Sequence, residues 1–180
     1  MGKRITQQKR GKGSPTYRAS SFKYLGKAKS QKVKKAQIKD IVKCRAHSAP
    51  LLKIKHEKGE ELMIAPEGLK VGDIITKGSD SKIEVGNTLP LKDIPEGVPI
   101  YNLELKPGDG GKFVRTSGTT AKIVTKTNKK IIIQLPSKKQ KELNPDCMAT
   151  IGVVAGSGRT DKPYLKAGIK FKAMKAKGKY

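Results

Sequence analysis

The chain has 180 residues, of which 40 are Lys or Arg and 15 are Asp or Glu, for a formal net charge of +25. That much self-repulsion points to a polyanionic partner rather than to a free monomer. With 35% hydrophobic residues, 4% aromatics and no Trp, the composition argues against one large core and favours two compact units of roughly 50–80 residues.

The charge is uneven. Residues 1–36 hold 12 of the cations and no acid, and residues 162–180 hold 7 and no acid. The middle, which keeps all 15 acids, reads as an ordinary globular region between basic arms. The first arm scatters Ile5, Tyr17, Phe22, Tyr24 and Leu25 without a period, and Gly11, Gly13 and Pro15 oppose a helix there. Such a segment is expected to be disordered when free and to order on an RNA that neutralises it. A solubilising tail is the alternative. Arg4, Lys9, Arg10, Lys12 and Arg18 are its candidate phosphate contacts.

Order is expected from Gln37. Ile38, Ile41 and Val42 form one apolar run, and Leu52 and Ile54 alternate with Lys53 and Lys55. The turn Glu57-Lys58-Gly59-Glu60 then precedes Leu62-Met63-Ile64, the pattern of a hairpin. Further short runs at residues 71–75 and 83–85 bring the total to about five strands within some fifty residues. That number suits a small closed or partly closed barrel, of which the OB-fold is one.

A second set follows. Ile100 to Leu105 alternates, residues 121–125 and 130–135 flank a turn at Thr127-Asn128-Lys129, and residues 139–143 and 147–154 complete the series. Strands recurring about every ten residues predict a second all-β barrel. Residues 166–177 tolerate a helix. The expected division is a basic extension at 1–36, barrels at 37–85 and 86–161, and a basic extension from 162 to 180.

Between these strands lies the loop Lys106-Pro107-Gly108-Asp109-Gly110-Gly111-Lys112, followed by Arg115 and Ser117-Gly118-Thr119. Its glycines permit left-handed turns and close approach of the main chain, while Lys112 and Arg115 add positive charge, as a phosphodiester surface requires. A purely structural hairpin loop is the competing explanation. The nucleotide-binding P-loop pattern is not met, because Gly111-Lys112 is followed by Phe113 and Lys106 stands where the first glycine belongs, and an enzyme with a phosphate-binding loop is the rival from a different class. The dinucleotide pattern also fails, since Phe113 occupies its last glycine position.

Other chemistry is sparse. Cys44 and Cys147 stand far apart and, with only His47 and His56 besides, make too thin a set for a zinc site, so buried free thiols are expected. Asp93 with Glu96, and Glu60 with Glu61, sit in polar turns that suit solvated surface. No nucleophile is paired with a base, so no enzyme and no cofactor is expected. The N-terminus lacks an apolar secretory signal, and no apolar run could cross a bilayer, which makes a reducing, cytoplasmic setting the expectation.

A series of short words then carries a resemblance over essentially the whole chain. They include Ala65-Pro66-Glu67-Gly68, Gly86-Asn87-Thr88-Leu89-Pro90-Leu91, Pro107-Gly108-Asp109-Gly110-Gly111-Lys112, Ala149-Thr150-Ile151-Gly152 and Asp161-Lys162-Pro163. In this order they resemble the universal large-subunit ribosomal protein two family in its archaeal and eukaryotic style. The resemblance implies an OB-fold followed by an SH3-like barrel on large-subunit ribosomal RNA, with neighbouring ribosomal proteins as further partners. It implies RNA contacts at Gly110, Gly111, Lys112 and Arg115, at Lys141, and at Arg159, Lys162 and Lys166. Relatives in that family continue into a glycine- and histidine-containing extension near the peptidyl transferase region. The sequence ends at Tyr180, inside the basic lead-in, and is expected to lack that extension. A free regulatory or chromatin-type nucleic-acid binder is the alternative in the same chemical class.

Overall fold

A computed structural model describes residues 2–14, 16–17, 24–31, 33–57, 59–127 and 129–176. The first ordered sheet comprises β1 (Lys35–Val42), β2 (Leu51–His56), β3 (Gly59–Ile64) and β4 (Ile74–Thr76). The predicted hairpin is β2–β3, antiparallel and in register from Leu51 opposite Ile64 to His56 opposite Gly59. Alternation explains its facing from Leu52 onward: Leu52 and Ile54 are buried, Lys53 is half-buried and Lys55 is exposed, while Leu51 is buried as well.

The second sheet comprises β5 (Thr88–Pro90), β6 (Pro99–Tyr101), β7 (Ala121–Lys126), β8 (Ile131–Gln134), β9 (Gln140–Leu143) and β10 (Met148–Ile151). A 3-10 turn at Leu91–Asp93 follows β5. Among the described residues two α-helices lie towards the ends of the chain, α1 (Thr6–Gly11) and α2 (Ala167–Ala176). The short α1 stops at the glycine that opposed a helix, and Gln8 Oε1 accepts the Ile5 N–H at its start (3.3 Å). It buries nothing.

The two expected barrels do not form. The sheets are open, with strand orders β3-β2-β1-β4 and β5-β10-β6-β7-β8-β9, which corrects the reading as an OB-fold followed by an SH3-like barrel. Two causes are visible. Residues 83–85, counted as a closing strand, are irregular, and Ile83 and Val85 are exposed. The main-chain groups that would close the first sheet on itself instead bond to the second unit. Past β3, Pro66 bridges Val154, and Ala65 O accepts the Ala155 N–H (2.9 Å). Past β4, Lys77 bridges Thr88, and Thr88 O accepts the Gly78 N–H (3.0 Å). Each edge is thus covered by a neighbour, which satisfies the same backbone demand that closure would.

In the second unit the alternating run from Ile100 ends as strand at Tyr101, because Asn102 takes φ +50° and turns the chain. Tyr101 then serves the other unit. It is fully buried in the first core with Ile64 and Val154, and its hydroxyl donates to Ile64 O (3.2 Å). The second core gathers Leu89, Ile100, Leu103, Ile123 and Ile133. Neither cysteine is in a disulfide and both are buried, Cys44 in the first core and Cys147 in the second.

Residues 24–31, inside the basic N-terminal stretch, pack onto this joint. Ala28, Ser30 and Gln31 are buried, Lys29 N–H donates to Leu62 O (2.9 Å) in β3, and Ser30 N–H donates to Gly110 O (2.9 Å). Lys77 Nζ donates to Gln31 O (2.8 Å). The strap therefore bonds to both units before the chain enters β1.

The joint generates a stability prediction. Tyr101→Phe keeps the ring but leaves Ile64 O without its donor, and a cost of about 1–3 kcal/mol is expected. Tyr101→Ala, which also opens a cavity, should cost about 3–5 kcal/mol. Urea unfolding of the two variants checks both, and equal stability of Tyr101→Phe and parent would remove the hydroxyl from the joint.

Candidate nucleic-acid interface

The glycine-rich loop leaves the second sheet just after Asn102. Glu104, at the foot of the loop, is buried to 1% exposure and has no basic partner among the described ion pairs. Its carboxylate instead accepts main-chain N–H groups, Gly110 on Oε1 (3.0 Å) and both Gly108 (2.9 Å) and Met148 (3.0 Å) on Oε2. Asp109 does the same from within the loop. Its Oδ2 accepts from Leu105 (3.1 Å) and Lys106 (3.3 Å), and its Oδ1 from Gly111 (2.9 Å). Burial pushes the Asp109 carboxyl upward, but these three N–H groups and the nearby Lys112 outweigh it and hold the group below the ordinary aspartate range.

The rest of the loop is also committed inward. Asp109 N–H donates to Lys106 O (3.2 Å), and Lys112 and Phe113 N–H both donate to Leu103 O (2.7 and 3.0 Å). Pro107 has no N–H to offer. The loop is therefore a cradle for its own two carboxylates and has no amide left to cradle a phosphate. What it presents outward is the exposed side chains of Lys106 and Lys112.

Gly111 fits this design through its lack of a side chain. At φ +92°, a Cβ would lie 2.8 Å from Asn102 O and would also collide with the Asn102 amide. The Asn102 side chain is buried, and neither amide atom has a hydrogen-bond partner.

Arg115 is half-buried and turned back onto the loop. Nη1 donates to Gly111 O (3.0 Å) and Nη2 to Ala28 O, so one guanidinium ties the glycine loop to the N-terminal strap. The planar guanidinium holds two donors in a fixed geometry for such a two-carbonyl bridge, whereas an ammonium on its flexible stem does not. With five N–H donors, the group keeps capacity beyond these two bonds.

Other sequence-predicted residues gather nearby. Lys141, on β9, places Nζ 4.6 Å from the Phe113 ring centroid, beside Lys112 in sequence. Arg159 is exposed, and its Nε donates to Ser117 Oγ (3.2 Å) in the segment after Arg115. Gly118 is required where these segments meet, since at φ +71° a Cβ would lie 2.7 Å from Ser157 Cα.

The arm residues lie apart from this cluster. Arg4, Lys9 and Lys12 are exposed around α1, and Lys162 and Lys166 are exposed on the segment entering α2. Arg10 is half-buried, donates to Lys175 O and lies 5.5 Å from the Tyr17 ring centroid, so the two helical ends touch. Arg18 is outside the described residues.

Sequence reasoning missed Glu104, Asp109 and Asn102 as builders of the loop, and Tyr24 and His47 beside it. A signal for Glu104 existed: an acid four residues before the first glycine of the loop, on the alternating run, in a strongly basic chain. The other acids weighed as catalytic have ordinary work. Glu96 Oε1 accepts the Lys126 N–H (2.9 Å), and Glu60 pairs with exposed Lys39. Among the described residues no group of three His, Cys, Asp or Glu could hold a metal ion.

Two predictions follow from this geometry. Glu104→Gln keeps the shape but turns one acceptor into a donor against main-chain N–H, so a loss of about 1–3 kcal/mol is expected, read by urea unfolding. Because the folded Asp109 value is depressed, its stabilising effect is complete above the ordinary aspartate pKa of about 3.9 and fades as pH falls through the lower folded value. Exchange protection of the Leu105, Lys106 and Gly111 amides should fall over that acid range in the parent. In Asp109→Asn it should be low and flat, and a parent-like acid profile would contradict the cradle.

Comparison with known proteins agrees with the sequence words. Residues 84–179 match the family described as Ribosomal Proteins L2, C-terminal domain. The chain is 48% identical over 188 residues to the large ribosomal subunit protein uL2 of Methanothermobacter thermautotrophicus, covering 99% of this chain and 78% of that one. Against the protein of the same name from Haloarcula marismortui it is 48% identical over 184 residues, with 99% and 77% covered. Against that of Methanocella arvoryzae it is 50% identical over 182 residues, with 97% and 76% covered. An identity near one half over nearly the full chain places this chain in the uL2 family of large ribosomal subunit proteins.

Proposed function

We propose that the chain is a structural, non-enzymatic constituent of the large ribosomal subunit that binds its ribosomal RNA and supports subunit assembly and the peptidyl transferase region. Family membership is the observation that carries this reading, and the net charge of +25 agrees with a polyanionic partner. Neighbouring ribosomal proteins are the other partners, the setting is the cytoplasm, and no cofactor is required. No helix among the described residues is long and apolar enough to cross a membrane.

The work divides along the chain. Basic residues of 1–36 and 162–180 act as arms on RNA, with 24–31 also strapped to both units, and the regions 37–85 and 86–161 act as two β units that present them. In the arms, Arg4, Lys9, Arg10, Lys12, Arg18, Lys162 and Lys166 neutralise phosphates. In the second unit, Lys112 and Lys141 supply point charges, Gly110 allows close approach through its lack of a side chain, and the buried Gly111 holds the loop against Asn102 beneath them. Arg159 adds a cation along the same face. Arg115 contributes the donors it does not spend on Gly111 and Ala28.

Salt dependence tests the reading. Binding of the full chain to large-subunit rRNA transcripts should weaken steeply as salt rises, because each neutralised phosphate releases a counterion. Lys112→Ala should lower the slope by about one unit and weaken cognate and scrambled RNA alike. Changing Arg4, Lys9, Arg10 and Lys12 together to Gln should lower it further. Slopes equal to the parent in both variants, or loss of the chain from large subunits in a moderate-salt wash, would overturn the proposal.

A further inference from the structure

Beside the loop lies a cavity of about 200 Å³ that phosphate neutralisation alone does not explain. Tyr24 and His47 form one wall, with ring centroids 5.9 Å apart and planes inclined by 18°. Arg115, Lys27, Lys29 and Lys112 supply cations around it, while Gly111 forms part of its floor. The one acid on its lining, Asp109, spends its oxygens on loop amides.

The volume discriminates among ligands. Pockets for drug-sized molecules occupy about 300–1,000 Å³, so this one suits a single heteroaromatic ring. Its chemistry discriminates further. An aromatic ring pair flanked by cations is how proteins hold single-stranded nucleic acid, with a base on the ring and its phosphate on the charge. Two details indicate that the wall is not simply an internal fastening of the strap. Tyr24 remains 42% exposed. The Nδ1 atom of His47 is buried without a hydrogen-bond partner. Burial and the neighbouring Arg115 both lower the His47 pKa, so near neutral pH the ring is an uncharged stacking and hydrogen-bonding group.

We propose that this cavity receives one unstacked nucleobase of the bound RNA, stacked on the Tyr24–His47 pair, with its flanking phosphate met by Lys27, Lys29 or Lys112. The inference rests on the RNA-binding reading above and makes it more specific. Duplex RNA meets a protein through phosphates and 2′-hydroxyls, whereas a stacking cavity selects an extruded or single-stranded base. Arg115 then has a second duty. By holding Ala28 O and Gly111 O together, it keeps the strap that carries Tyr24 against the loop.

The test uses the full chain with two probes of equal charge, a hexamer of adenylate and the same hexamer without bases. Stacking is worth about 1–3 kcal/mol per base, so the parent should bind the adenylate hexamer about tenfold more tightly than the abasic one. Tyr24→Leu should reduce that ratio to near one and leave abasic binding and its salt slope unchanged. Tyr24→Phe should keep the ratio, which shows that the ring and not the hydroxyl is read. Circular dichroism and urea unfolding of Tyr24→Leu establish that the strap variant is folded. Equal affinity of the parent for both probes, or a ratio that survives Tyr24→Leu, would overturn the inference while leaving salt-dependent RNA binding intact. Failure of both hexamers to bind with any salt dependence would instead strike the underlying function.

Discussion

A carboxylate buried in a strongly basic chain sets the shape of the interface. Glu104 has almost no contact with water and no ion-pair partner among the described residues, yet three main-chain N–H groups converge on its oxygens. Burying a charge is costly unless hydrogen bonds replace its lost water, so the amides of Gly108, Gly110 and Met148 have to stay where they are. The loop is consequently preformed. The same bonds turn it away from the role its composition suggests, because amides aimed at Glu104 and Asp109 cannot also face a phosphate. The RNA contact proposed for this loop therefore falls to side chains standing on a rigid surface, and not to its main-chain amides.

The architecture supports that surface through shared parts rather than through two independent closed bodies. Tyr101 belongs by sequence to the second sheet and by packing to the first core. Pro66 and Lys77, at the outer ends of the first sheet, bridge to residues of the second unit. The strap of residues 24–31 adds bonds to β3 and to Gly110. Motion of one unit against the other would break a buried phenol contact and several main-chain bonds at once. Positions on the strap and the loop are therefore held relative to each other, which is the condition for a composite site such as the Tyr24–His47 cavity.

Electrostatics divides the cations into two groups. Lys39, Lys92 and Lys130 pair with Glu60, Asp146 and Glu142 on the exposed faces of the β units, where solvent screens such pairs and they add little to stability. The arms contain no acids, so no local pairing of this kind is open to them within their own sequence. Their charge remains for long-range attraction, which salt screens, whereas Arg115 is spent largely on holding the fold. Cations alike in composition thus do different work according to what lies within reach.

The amino-acid sequence determined the β class, the β2–β3 hairpin, the polyanionic partner and the family, because these depend on local alternation, net charge and colinear words. Leu52 and Ile54 show their buried face at a spacing of two, and that spacing needs no knowledge of the rest of the chain. Whether the sheets closed depended on which backbone groups met at their edges, and this only the tertiary structure decided. The run at 83–85 has strand-like residues but no partner, while Pro66 and Lys77 find partners more than ten residues away. The loop divided in the same way. Its glycines and cations are visible in the sequence, but the direction of its amides was set by Glu104, whose burial comes from the fold around it. Arg115 reads as a free fork until Ala28, 87 residues earlier in the chain, is brought beside it. Local pattern determines what each segment can form, and long-range packing decides which of its hydrogen-bonding groups remain for a partner.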